Sequence, residues 1–269
     1  MRKPAVSVII PTCRRNQELK NAVVSVINQT VKDIELIVID DNGEKTDDTI
    51  KRFLSDYDSI YLKNDRNYGG AVSRNRGVQN ARGEYIAFLD DDDQWENQKL
   101  EKQLSIMQST NAGICYTGLT ICKGKRSRYS FRKPAFRDHY RSILNSNFIG
   151  TTSSVLIPTK IVKEINGFDP ALPALQDYDL YIRILKNNKA VWIDEPLVIY
   201  SNELQGGKIS CSRVFFKDAA NKLLEKYRKE SEFKLLQKSI KRIELMKMVR
   251  SRKFFFDTLH SLCGFGKFK

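Results

Sequence analysis

The chain has 269 residues, 41% of them hydrophobic, and a formal net charge of +14. That length allows one large domain or a domain with an appendage, and no stretch approaches the ~18 apolar residues of a membrane span. Five cysteines, odd in number and without a Cys-x-x-Cys pair, argue for reduced thiols and against a disulfide or zinc framework.

The opening run Ala5–Ile10 is too short for a secretory signal and lacks a small-residue cleavage site, so a cytoplasmic protein is expected. Val6–Ile10 reads as a buried strand stopped by Pro11. A polar turn, Thr12–Asn16, leads to a helix with Leu19, Val23, Val26 and Ile27 at helical spacing. Ile34–Ile39 is a second buried strand ending in Asp40-Asp41. Asn42-Gly43 signals a turn, a polar helix is expected near 46–55, and Ile60–Leu62 is a short third strand. Asn67-Tyr-Gly-Gly70 opens a helix to about Ala81, closed by Arg82-Gly83, and its two leading glycines offer N–H donors to a phosphate. Glu84–Leu89 is the fourth strand, and it delivers Asp90, Asp91, Asp92 and Asp93 at its end.

Four adjacent carboxylates raise one another's pKa and destabilise a fold unless a cation sits among them. Mg²⁺ and Mn²⁺ take oxygen ligands, often one or two carboxylates plus substrate phosphates. The competing reading is a solvated acidic turn that caps the next helix. Strand and helix alternate as in a parallel sheet covered on both faces, where ligands bind beyond the C-terminal strand ends. Pro11-Thr12, Asp40-Asp41 and Asp90–Asp93 therefore line one crevice. No Gly-x-Gly-x-x-Gly or P-loop pattern is present, which argues against a dinucleotide or P-loop site.

Beyond Asp93, expected to cap it, a helix over 97–109 presents Leu100, Leu104 and Met107 on one face. Gly113–Thr117 reads as a strand. Residues 123–142 are basic and loop-like, with Arg126, Arg128, Arg132, Lys133, Arg137 and Arg141. Thr151–Ile157 is another strand, followed by a helix over 159–165 and the turn Asn166–Pro170. A helix then starts at Gln176, with Asp177 in or before its first turn, and Val191–Ile193 and Leu197–Tyr200 are closing strands. From 213 onward helical spacing returns, in Phe215, Phe216, Ala219, Leu223, Leu224 and Tyr227, then Leu236, Ile240, Ile243 and Met246. Residues 213–269 hold 16 Lys/Arg and 6 Asp/Glu, most of the chain's excess charge. Two readings stand: helices packed on the domain or in a dimer interface, or a basic amphipathic element on an anionic membrane. Lys253-Phe-Phe-Phe256 with Leu259, Leu262 and Phe265 adds weight to the second.

Seven segments, in one order, resemble the family 2 glycosyltransferases with the nucleotide-sugar-binding GT-A fold. They are Val6-Ser-Val-Ile-Ile-Pro-Thr12, Val26-Ile-Asn-Gln-Thr30, Glu35-Leu-Ile-Val-Ile-Asp-Asp41, Ser73-Arg-Asn-Arg-Gly77, Gly83–Asp93, Asn166-Gly-Phe-Asp169 and Gln176–Arg183. The resemblance covers roughly residues 5–200. It implies an α/β fold, a Rossmann-like, mixed and mainly parallel sheet flanked by helices, with a C-terminal helical extension. The division it implies is a catalytic domain over 1–205, with a nucleotide-sugar half to about 95 and an acceptor half over 96–205, and a basic extension over 206–269.

By position, the resemblance assigns Asp41 to the nucleotide base and Pro11 and Thr12 to the pocket floor. Arg74 and Asn75 fall near the donor's phosphates or sugar. Asp91 and Asp92 resemble the metal pair, Asp92 first, with Asp90 as second-shell or alternative ligand to Mn²⁺ or Mg²⁺. Asp177 resembles the base of an inverting transfer. The family commonly has an aromatic residue where Cys13 stands, and an acid where Gln176 stands. The implied reaction moves a sugar from a nucleotide-diphospho-sugar, with UDP expected, to a saccharide or polyprenyl-linked acceptor in surface-glycan assembly. The tail suits attachment to the inner face of the plasma membrane, and a homodimer is compatible. A nucleotidyltransferase would use the same acids but needs a glycine-rich phosphate loop, which Pro11–Asn16 lacks. A nucleic-acid-binding protein is disfavoured, because an acidic crevice repels phosphate and no binding motif is present.

Overall fold

The computed structural model describes residues 3–43, 48–201 and 213–262. Its first half is built from β1 (Val6–Thr12), β2 (Ile34–Asp40), β3 (Ser59–Lys63) and β4 (Tyr85–Phe88), paired in parallel in the order β3-β2-β1-β4. Crossovers run through α1 (Asn16–Ile27), α2 (Asp48–Ser55) and α3 (Gly70–Asn80). Alternate residues of a strand face opposite sides. Val6, Val8 and Ile10 accordingly pack with Leu19, Val23 and Val26 of α1, while Ile9 joins Ala71 and Val78 of α3 on the other face. A continuous apolar run is what a strand covered on both faces needs. Gly77 lets α3 lie close on β1, since a Cβ there would fall 2.4 Å from the Ile9 side chain. Pro11 sits where β1 has outrun β4 and is flanked by β2 alone, a place where its missing N–H is tolerated.

The second half changes the sheet's character. It contains β5 (Gln94–Trp95), α4 (Lys99–Gln108), β6 (Ile114–Lys123), β7 (Arg126–Ser130) and α5 (His139–Asn145). A 3₁₀ turn at Thr152–Ser154 leads into β8 (Val155–Pro158), then α6 (Thr159–Glu164), α7 (Gln176–Leu185) and β9 (Ala190–Ser201). β8 is antiparallel to both β4 and β6, and the full order is β3-β2-β1-β4-β8-β6-β9-β5, with β7 paired to β6. The sheet is thus mixed: the pairs within the first 90 residues are all parallel, and the antiparallel pairs come with the second half.

Four local expectations are corrected. The basic segment 123–142 is a loop only over 131–138: β7 precedes that stretch and α5 starts after it; β7 is exposed almost throughout, so no apolar alternation marks it. Thr152–Ser154 are a 3₁₀ turn, so the strand expected from Thr151 starts at Val155. The two closing strands are one, β9, which pairs in parallel with β6 through register shifts at Thr117–Leu119. Asp93 caps nothing, because β5 intervenes and α4 starts at Lys99.

Two further helices, α8 (Arg213–Lys226) and α9 (Phe233–Leu262), follow. Phe216, Ala219, Ala220, Leu223, Tyr227, Leu236 and Ile240 are buried in the same cluster as Tyr178, Leu180 and Tyr181 of α7. This part of the tail packs on the domain. Its stripe is not fully covered: Phe215 and Met246, two of the residues at helical spacing, are exposed, as are Val214 and Leu245. The side chains of Lys253–Phe256, Leu259, Leu262 and Phe265 lie outside the described residues. No helix among the described residues is long and apolar enough to cross a membrane.

Candidate active site

The C-terminal ends of β1, β2 and β4 bring Thr12, Asp41 and Asp90–Asp93 to one edge of the sheet, as the strand order requires. Asp41 is buried and turned toward the loop after β3. Its Oδ1 accepts from the Asn64 amide (2.7 Å) and the Tyr68 N–H (2.9 Å), and its Oδ2 from the Gly69 N–H (2.7 Å). Gly69 adopts φ +85°, a left-handed conformation that glycine takes without strain. Its N–H, expected to serve a phosphate, is therefore committed to Asp41. Asp40 accepts from the Tyr61 hydroxyl at 2.6 Å and the Asn42 N–H at 3.0 Å, the latter an Asx-type turn contact.

The four successive acids face different partners. Asp90 pairs with the Arg74 guanidinium at 2.5 Å and accepts from the Thr152 hydroxyl at 3.2 Å. Asp91 accepts from Thr12 Oγ1 and from Arg15 Nη1, both at 2.9 Å. The same Arg15 nitrogen lies 3.2 Å from Asp92. Asp93 is buried and accepts from the Ser153 hydroxyl (2.6 Å) and the Ser201 N–H (3.2 Å), tying the strand end to β8 and β9. Burial pushes the Asp91 carboxyl up to about 6, with Asp92 adding to it and Arg15 and Thr12 opposing. Burial also raises Asp93 well above the usual carboxylate range, with Asp90 and Asp92 adding and the Ser153 hydroxyl opposing.

Asp177 enters this group from the second half. The chain turns into α7 through Leu175 at φ +59°, a strained conformation for a leucine. Asp177 Oδ1 accepts from the Tyr178 N–H at 2.8 Å, and the Gln176 amide is spent on the Leu172 carbonyl at 2.8 Å. Burial pushes the Asp177 carboxyl up to about 6; the Tyr178 N–H and the Arg74 guanidinium pull it down, and Asp90 pushes it up. Arg74 thus stands between the strand-end acids and Asp177. Burial alone would lower its pKa, but Asp90, with Asp177 and Tyr181 adding, outweighs burial and keeps the guanidinium charged. Two buried atoms here, Arg74 Nε and the Tyr181 hydroxyl, have no hydrogen-bond partner among the described residues.

Asn75, expected at the donor, is used otherwise: its amide donates to the Phe168 carbonyl (2.8 Å) and accepts from the Phe168 N–H (2.7 Å), clasping the Asn166–Asp169 turn to α3. Cys13 Sγ accepts from Asn67 at 3.3 Å. His139 accepts from the Ala190 N–H at 2.9 Å and has no part in the crevice contacts. Sequence reasoning did not single out Arg15, Asn64, Thr152, Ser153 or Tyr181. The run Thr151-Thr-Ser-Ser154, four hydroxyls before a strand, was the one visible sign of the Asp90 and Asp93 contacts.

Among the described residues no three His, Cys, Asp or Glu side chains converge as a ready metal site. Asp91 and Asp92 nevertheless share one cationic nitrogen. Two hard carboxylates around a cation fit Mg²⁺ or Mn²⁺ that draws its remaining ligands from water and substrate phosphates.

Residues 7–165 match the family described as Glycosyl transferase family 2. An uncharacterised glycosyltransferase of Methanocaldococcus jannaschii is 34% identical over 217 residues, which cover 74% of this chain and 71% of that one. A putative teichuronic acid biosynthesis glycosyltransferase, TuaG of Bacillus subtilis, is 38% identical over 126 residues, covering 44% of this chain and 48% of that protein. The match spans only 35% of a longer uncharacterised glycosyltransferase from Rickettsia felis. Among solved structures, residues 1–349 of S. aureus TarS with UDP-GlcNAc superpose with a TM-score of 0.67 at 18% identity, covering 96% of this chain and 75% of that one. The mannosyltransferase PcManGT from Pyrobaculum calidifontis, with GDP-Man and Mn²⁺, gives 0.65 at 14% identity over 99% and 77%. These likenesses give the fold, a GT-A α/β architecture.

Proposed function

This chain belongs to glycosyl transferase family 2 and is a glycosyltransferase; we propose that it moves a hexosyl or N-acetylhexosaminyl group, with inversion, from a nucleotide-diphospho-sugar to a hydroxyl of a saccharide or polyprenyl-linked acceptor. The carrying observation is that Asp177 shares one electrostatic neighbourhood with Arg74 and Asp90, joining the two halves of the crevice. A carboxylate with its pKa raised to about 6 is ionised at neutral pH yet basic enough to take a proton. Asp177 would accept the proton of the attacking hydroxyl. Arg74 would face the charge that develops on the departing diphosphate. Thr12 and Arg15 hold Asp91 and Asp92 in place at the donor end. Asp92, Asp91 and, as an alternative, Asp90 would hold Mn²⁺ or Mg²⁺, which neutralises leaving-group charge when bound.

The donor assignment to Pro11, Thr12, Asp41, Arg74, Asn75 and Asp91 divides in two. Pro11, Thr12, Arg74 and Asp91 would serve the donor directly, whereas Asp41 and Asn75 would do so while also fixing the loop after β3 and the Asn166–Asp169 turn. UDP is the favoured nucleotide, supported by the UDP-GlcNAc complex of TarS, and surface-glycan assembly is supported by the likeness to TuaG. Residues 1–205 would form the catalytic domain and 206–269 a basic extension on the inner face of the plasma membrane. The exposed Val214, Phe215, Leu245 and Met246 among lysines and arginines support that attachment.

The test is thermal stability with UDP, GDP and CDP, each with and without Mn²⁺. A metal-dependent rise for one nucleotide supports the reading; no response to any of them overturns it. For the membrane, sedimentation with phosphatidylglycerol vesicles should fall when Phe215 and Met246 are changed to Ser, and unchanged sedimentation removes the extension from that role.

A further inference from the structure

The hairpin of β6 and β7 remains unused by the chemistry above. From Lys102 to Arg137 the chain holds no Asp or Glu apart from Glu101 just before it, yet residues 118–137 carry seven Lys and Arg. All seven are exposed: Lys123, Lys125, Arg126, Arg128, Arg132, Lys133 and Arg137. Lys133 pairs with Asp194 at 3.3 Å, and none of the other six has an ion pair among the described residues. Lys123 stands directly opposite Arg126 in the hairpin. Like charges across a strand pair destabilise it, and Arg126 and Arg128 share one face. The fold thus tolerates a repulsive cluster that an anionic ligand would relieve.

Strand registers place the cluster. β8 is antiparallel to β4 and β6, so the part of β6 beyond Tyr116 runs past the start of β8, on the edge where β4 delivers its acids. Cys122 pairs with Ser127 on one side and Ser201 on the other, and the Ser201 N–H donates to Asp93. The cationic hairpin therefore rises two strands from the acid cluster, on the acceptor side. Aromatic rings lie among the cations. Tyr129 is held over Gly118 by its hydroxyl's 2.5 Å hydrogen bond to Asp194 and is 48% exposed; Phe136 is 36% exposed beneath the Arg141 guanidinium. Exposed rings of this kind can cover the apolar face of a sugar.

We propose that the β6–β7 hairpin and the segment to Arg137 form the acceptor platform, and that the acceptor is a polyanionic glycan chain carrying phosphodiester or carboxylate groups. This rests on the transferase reading and names its acceptor class. The guanidinium groups of Arg126, Arg128 and Arg132 would take the acidic groups as paired N–H donors, with Tyr129 and Phe136 under the sugar rings. A lipid surface fits less well here. The exposed large hydrophobic side chains of this segment are two rings set among cations, whereas the exposed aliphatic ones, Val214, Leu245 and Met246, lie with Phe215 on α8 and α9.

The test measures binding of the full chain to fluorescent poly(glycerol phosphate), polygalacturonate and neutral dextran, and to phosphatidylglycerol vesicles. Two variants of equal charge change are compared: Lys125→Glu/Arg126→Glu/Arg128→Glu on the hairpin, and Lys234→Glu/Lys238→Glu/Lys241→Glu on α9. The expected result is binding of one polyanion in preference to dextran, weakened ~10-fold or more by the hairpin variant and little by the α9 variant. Equal loss in both variants, equal binding of dextran, or a hairpin effect on vesicles alone overturns the proposal. Nucleotide-induced thermal shift is read on the same samples. A lost shift in the unmodified chain counts against the transferase reading, whereas a retained shift with no glycan binding counts against the platform alone.

Discussion

The two halves of the crevice treat polar groups in opposite ways. At the ends of β1, β2 and β4 the polar side chains are committed to one another: Asp41 to three donors, Asp91 to Thr12 and Arg15, Asp90 to Arg74. Along β7 and its flanks, six cations have no ion pair among the described residues. A committed group costs little to hold in place and presents a fixed shape before ligand arrives, which suits a constant partner such as a nucleotide. An uncommitted group adapts and is screened by salt, which suits an extended, variable one. Asp177 lies at the seam, anchored by its own helix and sensitive to charges from the other side.

The contrast can be attacked first at the seam. Asp177→Asn should lower turnover by about 10²–10⁴-fold while leaving the nucleotide-induced thermal shift intact; product formation by chromatography with shift data on the same protein checks it, and retained turnover removes Asp177 as the base. On the committed side, Asp41→Ala strands the Tyr68 and Gly69 N–H groups and the Asn64 amide. It should cost about 3 kcal/mol in urea denaturation, whereas Arg126→Ala on the uncommitted side should stay within about 0.5 kcal/mol. Similar losses for the two would erase the distinction. Leu223→Ala, in the shared core under α8, should cost about 3 kcal/mol as well.

A smaller effect should appear with pH. Burial raises Asp177 to about 6, so the working, ionised form is lost as pH falls through that value, and turnover should fall with it, close to tenfold per unit below the midpoint. A profile flat to pH 5 would contradict the assignment. The smallest expected effect is on metal affinity. Arg15 Nη1 touches both Asp91 and Asp92, so Arg15→Ala should tighten Mn²⁺ binding by about 1 kcal/mol or less, the worth of a half-exposed ion pair, as read by electron paramagnetic resonance titration.

The donor half was the more legible in the chain. Its strands are continuous apolar runs, and the acids at two strand ends converge with Thr12 at a third once the order 3-2-1-4 is assumed. What stayed hidden were contacts between residues far apart in sequence. Nothing local pairs Thr12 with Asp91, or Asn75 with Phe168. Asp93 looked like a helix cap because the two-residue strand β5 is too short to carry a pattern. Strand β7, Arg-Ser-Arg-Tyr-Ser, escaped for the opposite reason, being exposed on both faces and so without apolar alternation. The resemblance to the family supplied roles that spacing could not, while the fold itself uses the Asn75 amide to hold a turn.

Asp179, fully buried in the first turn of α7, draws its partners from both sides of a long stretch of chain. Arg183 supplies one contact at 2.8 Å, while the Tyr227 hydroxyl (2.9 Å) and the Lys226 ammonium (2.8 Å) come from the end of α8 and just beyond it. A chain emerging from the ribosome has finished its sheet by Ser201, yet two of the three groups that neutralise this carboxylate are still inside the exit tunnel. The helix that carries Asp177 can settle only after α8 has emerged, so catalytic competence should arrive late in synthesis, and purified chains ending at residue 205 should be protease-sensitive where those ending beyond 250 are not.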